Sequence, residues 1–222
     1  MPVSGGHTWR DVVRYARAHH LLQLAAGLGA ASVAAYFAAG RQLVIPAATA
    51  NGSMAMPSMV YTALPFAVLV AVSLHSSMAS LEQAATSVLR RAELVHLSLL
   101  TVLSCALFAA ATYVGGSGQV TAGPLAEAVR NVLLFLGLGL ISARLFGRAL
   151  AWALPLAQFV VVGYWGMHDG GDPRWWAWQL QSYADLMAWA GTLATLVAGV
   201  AVLWFLPRRA VPVPVSTSGR VV

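Results

Sequence analysis

The fold follows from one stretch near the middle of the chain, Leu94-Val-His-Leu-Ser-Leu-Leu-Thr-Val-Leu-Ser-Cys-Ala-Leu-Phe-Ala-Ala-Ala-Thr-Tyr-Val114. It contains no aspartate, glutamate, lysine or arginine, and about 20 apolar residues suffice for a helix to cross a bilayer. The whole chain of 222 residues has the same character, being 59% hydrophobic and only 9% charged, whereas a soluble domain is about a quarter charged. The sequence therefore predicts an integral membrane protein.

Five further apolar segments of similar length flank this stretch. The six predicted spans are Leu21–Ala39, Ser58–Met78, Leu94–Val114, Leu125–Ala143, Ala149–Met167 and Tyr183–Leu206. We expect them to form a single all-α transmembrane domain over residues 1–206, with Pro65 and Pro155 tolerated as kinks inside spans. The tail, residues 207–222, lacks periodicity and is predicted to be disordered.

Arginine predicts the orientation of the spans. If the N-terminus is cytoplasmic, ten arginines lie inside and three outside. The inner ones are Arg10, Arg14, Arg17, Arg90, Arg91, Arg144, Arg148, Arg208, Arg209 and Arg220, and the outer ones are Arg41, Arg130 and Arg174. Cytoplasmic loops are enriched in positive charge, so we expect a multi-pass protein with both termini in the cytoplasm. Trp175, Trp176 and Trp178 in the last outer loop suit an aromatic belt.

A basic amphipathic segment, residues 7–20, precedes the first span. As a helix it places Arg10, Arg14 and Arg17 on one face and Trp9 and Val13 on another. The pattern is typical of an interfacial helix on the cytoplasmic leaflet. A charged flank that only directs membrane insertion is the alternative interpretation.

Missing residue types exclude several activities. All thirteen basic residues are arginine, so the chain has no Walker A lysine, no Schiff-base lysine and no Ser-Lys dyad. Cys105 is the only cysteine, which excludes intrachain disulfides and cysteine-rich metal sites. The arginines flank apolar segments, so the pI near 10.2 indicates membrane topology rather than nucleic-acid binding. We expect no catalytic residue and no cofactor, and the lysine-free, Ala/Gly/Arg-rich composition favours a bacterial inner-membrane protein.

The segment between spans two and three, Ala79–Glu93, is patterned as an amphipathic helix. Starting from Leu81, its apolar residues recur at the spacing of one helix face. A rigid helix transmits a displacement from a partner better than a flexible loop does, because packed elements move as units. The alternative is a helix lying on lipid. The residues expected to couple to a partner are Leu81, Glu82, Ala85, Leu89, Arg90 and Arg91.

This order of elements resembles the permease subunits of ABC-2-type transporters, including those of the haem-exporter-B and antibiotic-exporter types. In sequence, Ser80-Leu81-Glu82-Gln83 is similar to the Ser/Thr-Leu-Glu element that opens the helix after span two in that family. Ala79 stands where the family usually has glycine, and the proline often found shortly afterwards is absent. The resemblance implies that this helix docks into a groove of a separate ATPase subunit. It also implies a homodimer, or pairing with a similar permease.

Three charged residues lie at the predicted outer ends of spans four and six. Glu127 and Arg130 are three positions apart and share a helix face, and Asp185 occupies the matching end of span six. They predict either an outer vestibule for a substrate or a structural pairing of charges. A direct pair between Arg130 and Asp185 is the specific form of the second prediction.

Two further sets of residues raise the question of metal or cofactor binding. Met54, Met56 and Met59 form Met-x-Met-x-x-Met in the first outer loop, where thioethers suit Cu(I) or fill apolar gaps. His75 and His96 lie at similar depth near the cytoplasmic side, where they suit a haem or quinone between facing helices. Hydration or hydrogen bonding to a neighbouring helix is the alternative for both histidines.

The sequence thus predicts the permease subunit of an ABC-2-like exporter, in which a separate ATPase drives the movement of an amphipathic substrate. A haem- or quinone-binding redox protein and a non-transporting membrane scaffold are the alternatives. A visible chromophore distinguishes the first alternative, and the lack of a stable ATPase partner distinguishes the second.

Overall fold

The computed structural model describes residues 21–74, 87–117 and 120–205. Within them the chain forms six α-helices and one β-hairpin. The helices are α1 (Leu21–Ala38), α2 (Ser58–Ser73), α3 (Ser87–Gly115), α4 (Ala122–Phe146), α5 (Ala153–Trp165) and α6 (Leu186–Phe205), and the strands are β1 (Gln42–Pro46) and β2 (Ser53–Pro57). The predicted interfacial helix at residues 7–20 and the tail at residues 207–222 lie outside the described residues.

The helices differ in their capacity to cross a membrane. Three described helices are long and apolar enough, over Glu93–Gly115, Ala122–Phe146 and Leu186–Phe205. Helices α1 and α2 are apolar but shorter, and α5 has 13 residues, or about 20 Å of length. The expectation of a mostly helical chain compatible with a membrane is confirmed. Each predicted span overlaps one helix, but six crossings and their orientation stay predictions.

The fifth predicted span is longer than the helix that occupies it. Residues Arg148–Leu150 form a 3-10 turn after Gly147, whose φ is +92°, and α5 begins only at Ala153. Pro155 is therefore the third residue of α5. The N–H groups of the first helical turn have no intrahelical acceptor, so the N–H that proline lacks costs no hydrogen bond at this position. Its position gives no reason for a kink there, whereas Pro65 does lie inside α2.

The helices alternate in direction, which defines two ends of the bundle. Gly115 at the end of α3 lies against the backbone of Tyr36 near the end of α1. The hairpin joins the same end, because the N–H of Ala48 donates to the carbonyl of Tyr164 in the last turn of α5 at 2.7 Å. We call this the loop end: it comprises the hairpin, the ends of α1, α3 and α5, and the beginnings of α2, α4 and α6.

Helix α4 is the central helix of the bundle. Of the 18 most apolar consecutive residues of α4, 61% are buried, whereas the equivalent segments of α3 and α6 are 22% and 17% buried. Helix α4 packs on α2, α3, α5 and α6. Beside it, Phe66 of α2 and Phe108 of α3 are in ring contact, with centroids 5.0 Å apart. The outward face of α3 is apolar, with Val95, Leu99 and Val102 exposed, and is therefore suited to lipid or to another apolar surface.

The β-hairpin is an element that the all-α expectation did not include. Its strands pair antiparallel with Val44 opposite Ala55. Alternate residues of β2 point inward, so Met54 and Met56 are buried and pack with Val60 of α2. This packing stabilises a two-stranded ribbon that would be marginal by itself. The described chain is therefore mostly helical rather than all-α.

Helices α4 and α6 approach each other closely at Gly137. A Cβ at this position would lie 2.7 Å from the carbonyl oxygen of Thr195 and 2.8 Å from the Cα of Leu196. Both atoms belong to the backbone and cannot rotate away, so the contact requires glycine.

We expect Gly137→Ala to lower the free energy of unfolding by about 1–3 kcal/mol, the usual result of forcing atoms into a packed interior. Gly29 is the matched control, because a Cβ there meets nothing within 4 Å. Gly29→Ala should be neutral or stabilise by up to about 1 kcal/mol, since alanine is the better helix former. The measurement is the fraction of each variant that stays monodisperse in detergent after heating. Equal losses for the two variants would contradict the prediction.

Candidate functional site

Arg130 is the buried centre of the loop end. It belongs to α4, and its side chain is fully buried. Its Nη1 donates to the carbonyl of Ser182 at 2.8 Å, and its Nη2 donates to the carbonyl of Gln181. Both acceptors belong to residues 166–185, the segment between α5 and α6 that we call the 166–185 loop. One guanidinium therefore binds this loop to α4, although Ser182 follows Arg130 by 52 positions in the sequence.

Glu127 and Asp185 bind backbone groups at the same end. Glu127 precedes Arg130 by about one helical turn, and its Oε1 accepts from the N–H of Tyr183 at 2.9 Å. Asp185 immediately precedes α6, and its Oδ1 accepts from the N–H of Ala188 at 3.0 Å, which is the geometry of an N-cap. The three charged residues that the sequence singled out are thus brought together at the loop end.

The charge of Arg130 is compensated in a way that differs from the expected direct pair with Asp185. Its two outer nitrogens donate to carbonyls, while Glu127 and Asp185 interact with it electrostatically. The ring centroid of Trp189 lies 6.0 Å from its Cζ, within the range of a cation–π contact. A buried charge needs such compensation, because its removal from water is costly. These contacts indicate that Arg130 has a structural role, which is to hold the 166–185 loop on α4.

Two buried polar residues beside Arg130 escaped sequence reasoning. Asn131 of α4 is 1% exposed, and Gln179, in the 3-10 turn Trp178–Leu180, is 3% exposed. The Nδ2 of Asn131 donates to the carbonyl of Gln179 at 3.4 Å. Within the described residues, the side-chain amide of Gln179 and the Oδ1 of Asn131 have no hydrogen-bond partner. Buried atoms of this kind are usually satisfied by ordered water or a ligand. The one available signal was Asn131 itself, a second polar residue directly after Arg130 within a predicted span.

A groove of about 360 Å³ lies between the 166–185 loop and the first turns of α6. The indole of Trp178 lies against Gly191, where a Cβ would come within 2.5 Å of the ring. Trp175 also lines the groove and is 79% exposed, and Asp185 is the acidic residue of the lining. The other lining residues are Pro173, Gln181, Met187 and Ala190. The groove is therefore aromatic and apolar with one acidic group.

The described structure places the three methionines but only one of the two histidines. Met54 and Met56 are buried on the inner face of the hairpin, and Met59 packs against the main core. A Cu(I) role for the three methionines stays a prediction. His96 belongs to α3, but His75 lies outside the described residues, so a cofactor between them stays a prediction. Among the described residues, no three His, Cys, Asp or Glu side chains converge as metal ligands.

The residues predicted to couple to an ATPase are only partly described. Leu81, Glu82 and Ala85 lie outside the described residues. Leu89, Arg90 and Arg91 belong to α3, which runs without interruption from Ser87 to Gly115 over 29 residues, or about 43 Å. The end of the amphipathic stretch and the third predicted span therefore form one helix.

Comparison with known proteins gave no match to a protein-family model, to a curated protein or to a solved structure. What the chain does must therefore be inferred from its sequence pattern and from the geometry of its loop end.

Proposed function

We propose that this chain is the permease subunit of an ABC-2-type exporter in a bacterial inner membrane. In this proposal it crosses the membrane six times with both termini cytoplasmic. It works as a homodimer, or beside a similar permease, with a separate ATPase that supplies the nucleotide site. The substrate is amphipathic and moves without covalent chemistry.

The observation that carries the proposal is the continuity of α3. This helix includes the last residues of the amphipathic stretch and the whole of Glu93–Gly115, the candidate span. A displacement applied at Ser87 by a partner would therefore be transmitted along about 43 Å of continuous helix. A permease that lacks its own nucleotide site needs such a connection to its ATPase.

Contacts at the loop end support the alternating topology. The Oδ1 of Asp169 in the 166–185 loop accepts from the N–H of Ala50 in the hairpin turn at 2.8 Å. In the predicted topology the first and last outer loops lie on the same side of the membrane, as this bond requires. Arg144 and Arg148 lie at the opposite end of the bundle, at the end of α4 and just after it. Arg90 and Arg91, near the start of α3, lie at that end too. The sequence count of ten arginines against three in the predicted topology favours that end as the cytoplasmic one.

The exposed surface supports a substrate or partner of apolar character. Val95, Leu99 and Val102 form one exposed stripe on α3, and Leu193 and Val197 form another on α6. In a bilayer such stripes face lipid, a second copy of the chain, or the apolar part of a transported molecule.

Purification from the native host in a mild detergent, followed by identification of co-purifying chains, tests the proposal. We expect a chain with a Walker A motif to be retained in stoichiometric amount. Preparations in which the intact, monodisperse protein carries no ATPase would contradict it. A Soret band in the same preparation would instead favour the redox alternative.

A further inference from the structure

We propose that the groove between the 166–185 loop and α6 binds a quaternary ammonium group. The group would lie between the indoles of Trp175 and Trp178, with its charge balanced by the carboxylate of Asp185. This inference does not rest on the proposed transport function, because it depends only on the groove.

The aromatic walls are one part of the argument. Trp178 is held in place because its indole lies against Gly191, where any side chain would displace the ring. Trp175 is 79% exposed, so most of its surface is open to a ligand. A cation over the face of an indole is attracted by the ring quadrupole, and quaternary ammonium groups are the ligands that use this interaction most.

The charge of the groove is the other part. Asp185 uses its Oδ1 to cap α6 and shares with Glu127 the electrostatic compensation of Arg130, so that two carboxylates and one guanidinium leave one net negative charge. The outer nitrogens of Arg130 donate to loop carbonyls, and the second nearby cation, Arg174, donates from its Nε to the carbonyl of Met167 at 3.5 Å. No Arg or His lines the groove, and the Nε2 of Gln181 already donates to the carbonyl of Arg174 at 3.0 Å. The lining therefore offers negative charge and little that would bind an anion.

Other classes of cation fit less well. Calcium needs six to eight oxygen ligands, and the side chains of this groove supply oxygen only from Asp185 and Gln181. A primary ammonium needs hydrogen-bond acceptors for three N–H groups. A quaternary ammonium has no N–H to satisfy and presents methyl groups to the apolar walls, so one carboxylate is enough. A volume of about 360 Å³ is at the small end for ligand pockets and suits a headgroup-sized ligand.

The trimethylammonium group has two possible sources, a free choline-like solute and the headgroup of a choline lipid. The groove is accessible to both, because Met187 at its edge is 74% exposed and the neighbouring Leu186 is 81% exposed. The chemistry of recognition is the same for the two sources, and the experiment separates them.

Isothermal titration of the full chain in a maltoside detergent tests the inference. The probes are choline and its neutral isostere 3,3-dimethylbutan-1-ol. The variants are Asp185→Asn, which retains the N-cap because asparagine caps equally well, and Trp175→Leu, which alters an exposed residue. Asp172→Asn is the control, since Asp172 is an exposed acid of the same loop that does not line the groove.

We expect choline to bind the wild type and the Asp172→Asn control alike. Asp185→Asn and Trp175→Leu should each weaken choline binding about tenfold, and the neutral isostere should bind the wild type about tenfold more weakly than choline. Circular dichroism and gel filtration of each variant establish that it is folded. Equal binding of choline and the isostere, undiminished binding by both folded variants, or no binding of choline would overturn the inference.

Native mass spectrometry with added lipids identifies the source. Preferential retention of phosphatidylcholine over phosphatidylglycerol, reduced by Asp185→Asn, would assign the groove to a lipid headgroup. Choline binding without lipid preference would assign it to a free solute. Both results support a trimethylammonium site, and neither depends on whether an ATPase partner is found.

Discussion

Arg130→Ala is expected to detach the 166–185 loop from α4 and to lower the free energy of unfolding by about 2–4 kcal/mol. The reason is that two part-buried carbonyls, those of Gln181 and Ser182, lose their donor together, and an unsatisfied buried group costs about 1–3 kcal/mol. Arg130→Lys should recover only part of the loss, because an ammonium lacks the planar fork that reaches two acceptors. Thermal unfolding in detergent measures the loss of stability, and limited proteolysis within residues 166–185 measures release of the loop.

The matched control for this prediction is Arg41→Ala. Arg41 also belongs to the loop end, but its side chain is exposed, so its removal should change stability by less than about 0.5 kcal/mol. If Arg130→Ala and Arg41→Ala proved equally stable and equally resistant to proteolysis, the structural role of Arg130 in holding the loop on α4 would be refuted.

Leu81→Arg and Glu82→Arg are expected to abolish coupling to the ATPase while membrane insertion is unchanged. Leu81 lies in the apolar stripe of the predicted amphipathic helix, so a charge there opposes burial against a partner, and Glu82 offers a charge at its rim. We expect at least a tenfold loss of co-purifying ATPase, equivalent to about 1.4 kcal/mol of binding free energy.

Gln83→Arg is the control for these two variants. It introduces the same side chain on the polar face of the predicted helix, opposite Leu81, and arginine on the cytoplasmic side is compatible with the topology. ATPase retention should therefore equal that of the wild type. If Leu81→Arg retained the ATPase as well as Gln83→Arg did, the segment would be better interpreted as a helix on the lipid surface.

The positions of the helices and some of their ends were predictable, such as Ser58 at the start of α2, whereas the start of α5 was not. A long apolar run such as Leu94–Val114 can satisfy its backbone in a membrane only as a helix, and α3 contains it. The start of α5 depends instead on Gly147, whose positive φ ends α4, and on Pro155, whose missing N–H costs no hydrogen bond in a first turn. Such local backbone conformations are not visible in hydropathy.

The hairpin was missed for a related reason. Met54 and Met56 alternate with small neighbours as a strand requires, but each strand has only five residues. A run that short is indistinguishable from a loop until its packing partners are known. Those partners come from α2 (Val60), from α5 (Phe159) and from the 166–185 loop (Met167 and Leu180), and hydropathy does not show that these segments meet at the hairpin.

At the candidate site the sequence identified which residues meet but not what they bind. Glu127, Arg130 and Asp185 converge because they occupy matching ends of two helices. Their hydrogen-bond partners are backbone groups whose positions follow from the path of the 166–185 loop. That path is determined by non-local contacts such as Trp178 against Gly191, which no local pattern encodes.

The short length of α5 has a consequence for the surrounding lipid. In the proposed six-span arrangement, its apolar length of about 20 Å must match a hydrocarbon core of about 30 Å. Hydrophobic mismatch of this size is relieved by local thinning of the bilayer, at a cost of fractions of a kcal/mol per Å. Val160 and Trp165 of α5 are exposed and would contact the thinned leaflets. The bilayer should therefore be thinned beside α5 but not beside the longer spans Glu93–Gly115 and Ala122–Phe146, which can cross a core of ordinary thickness.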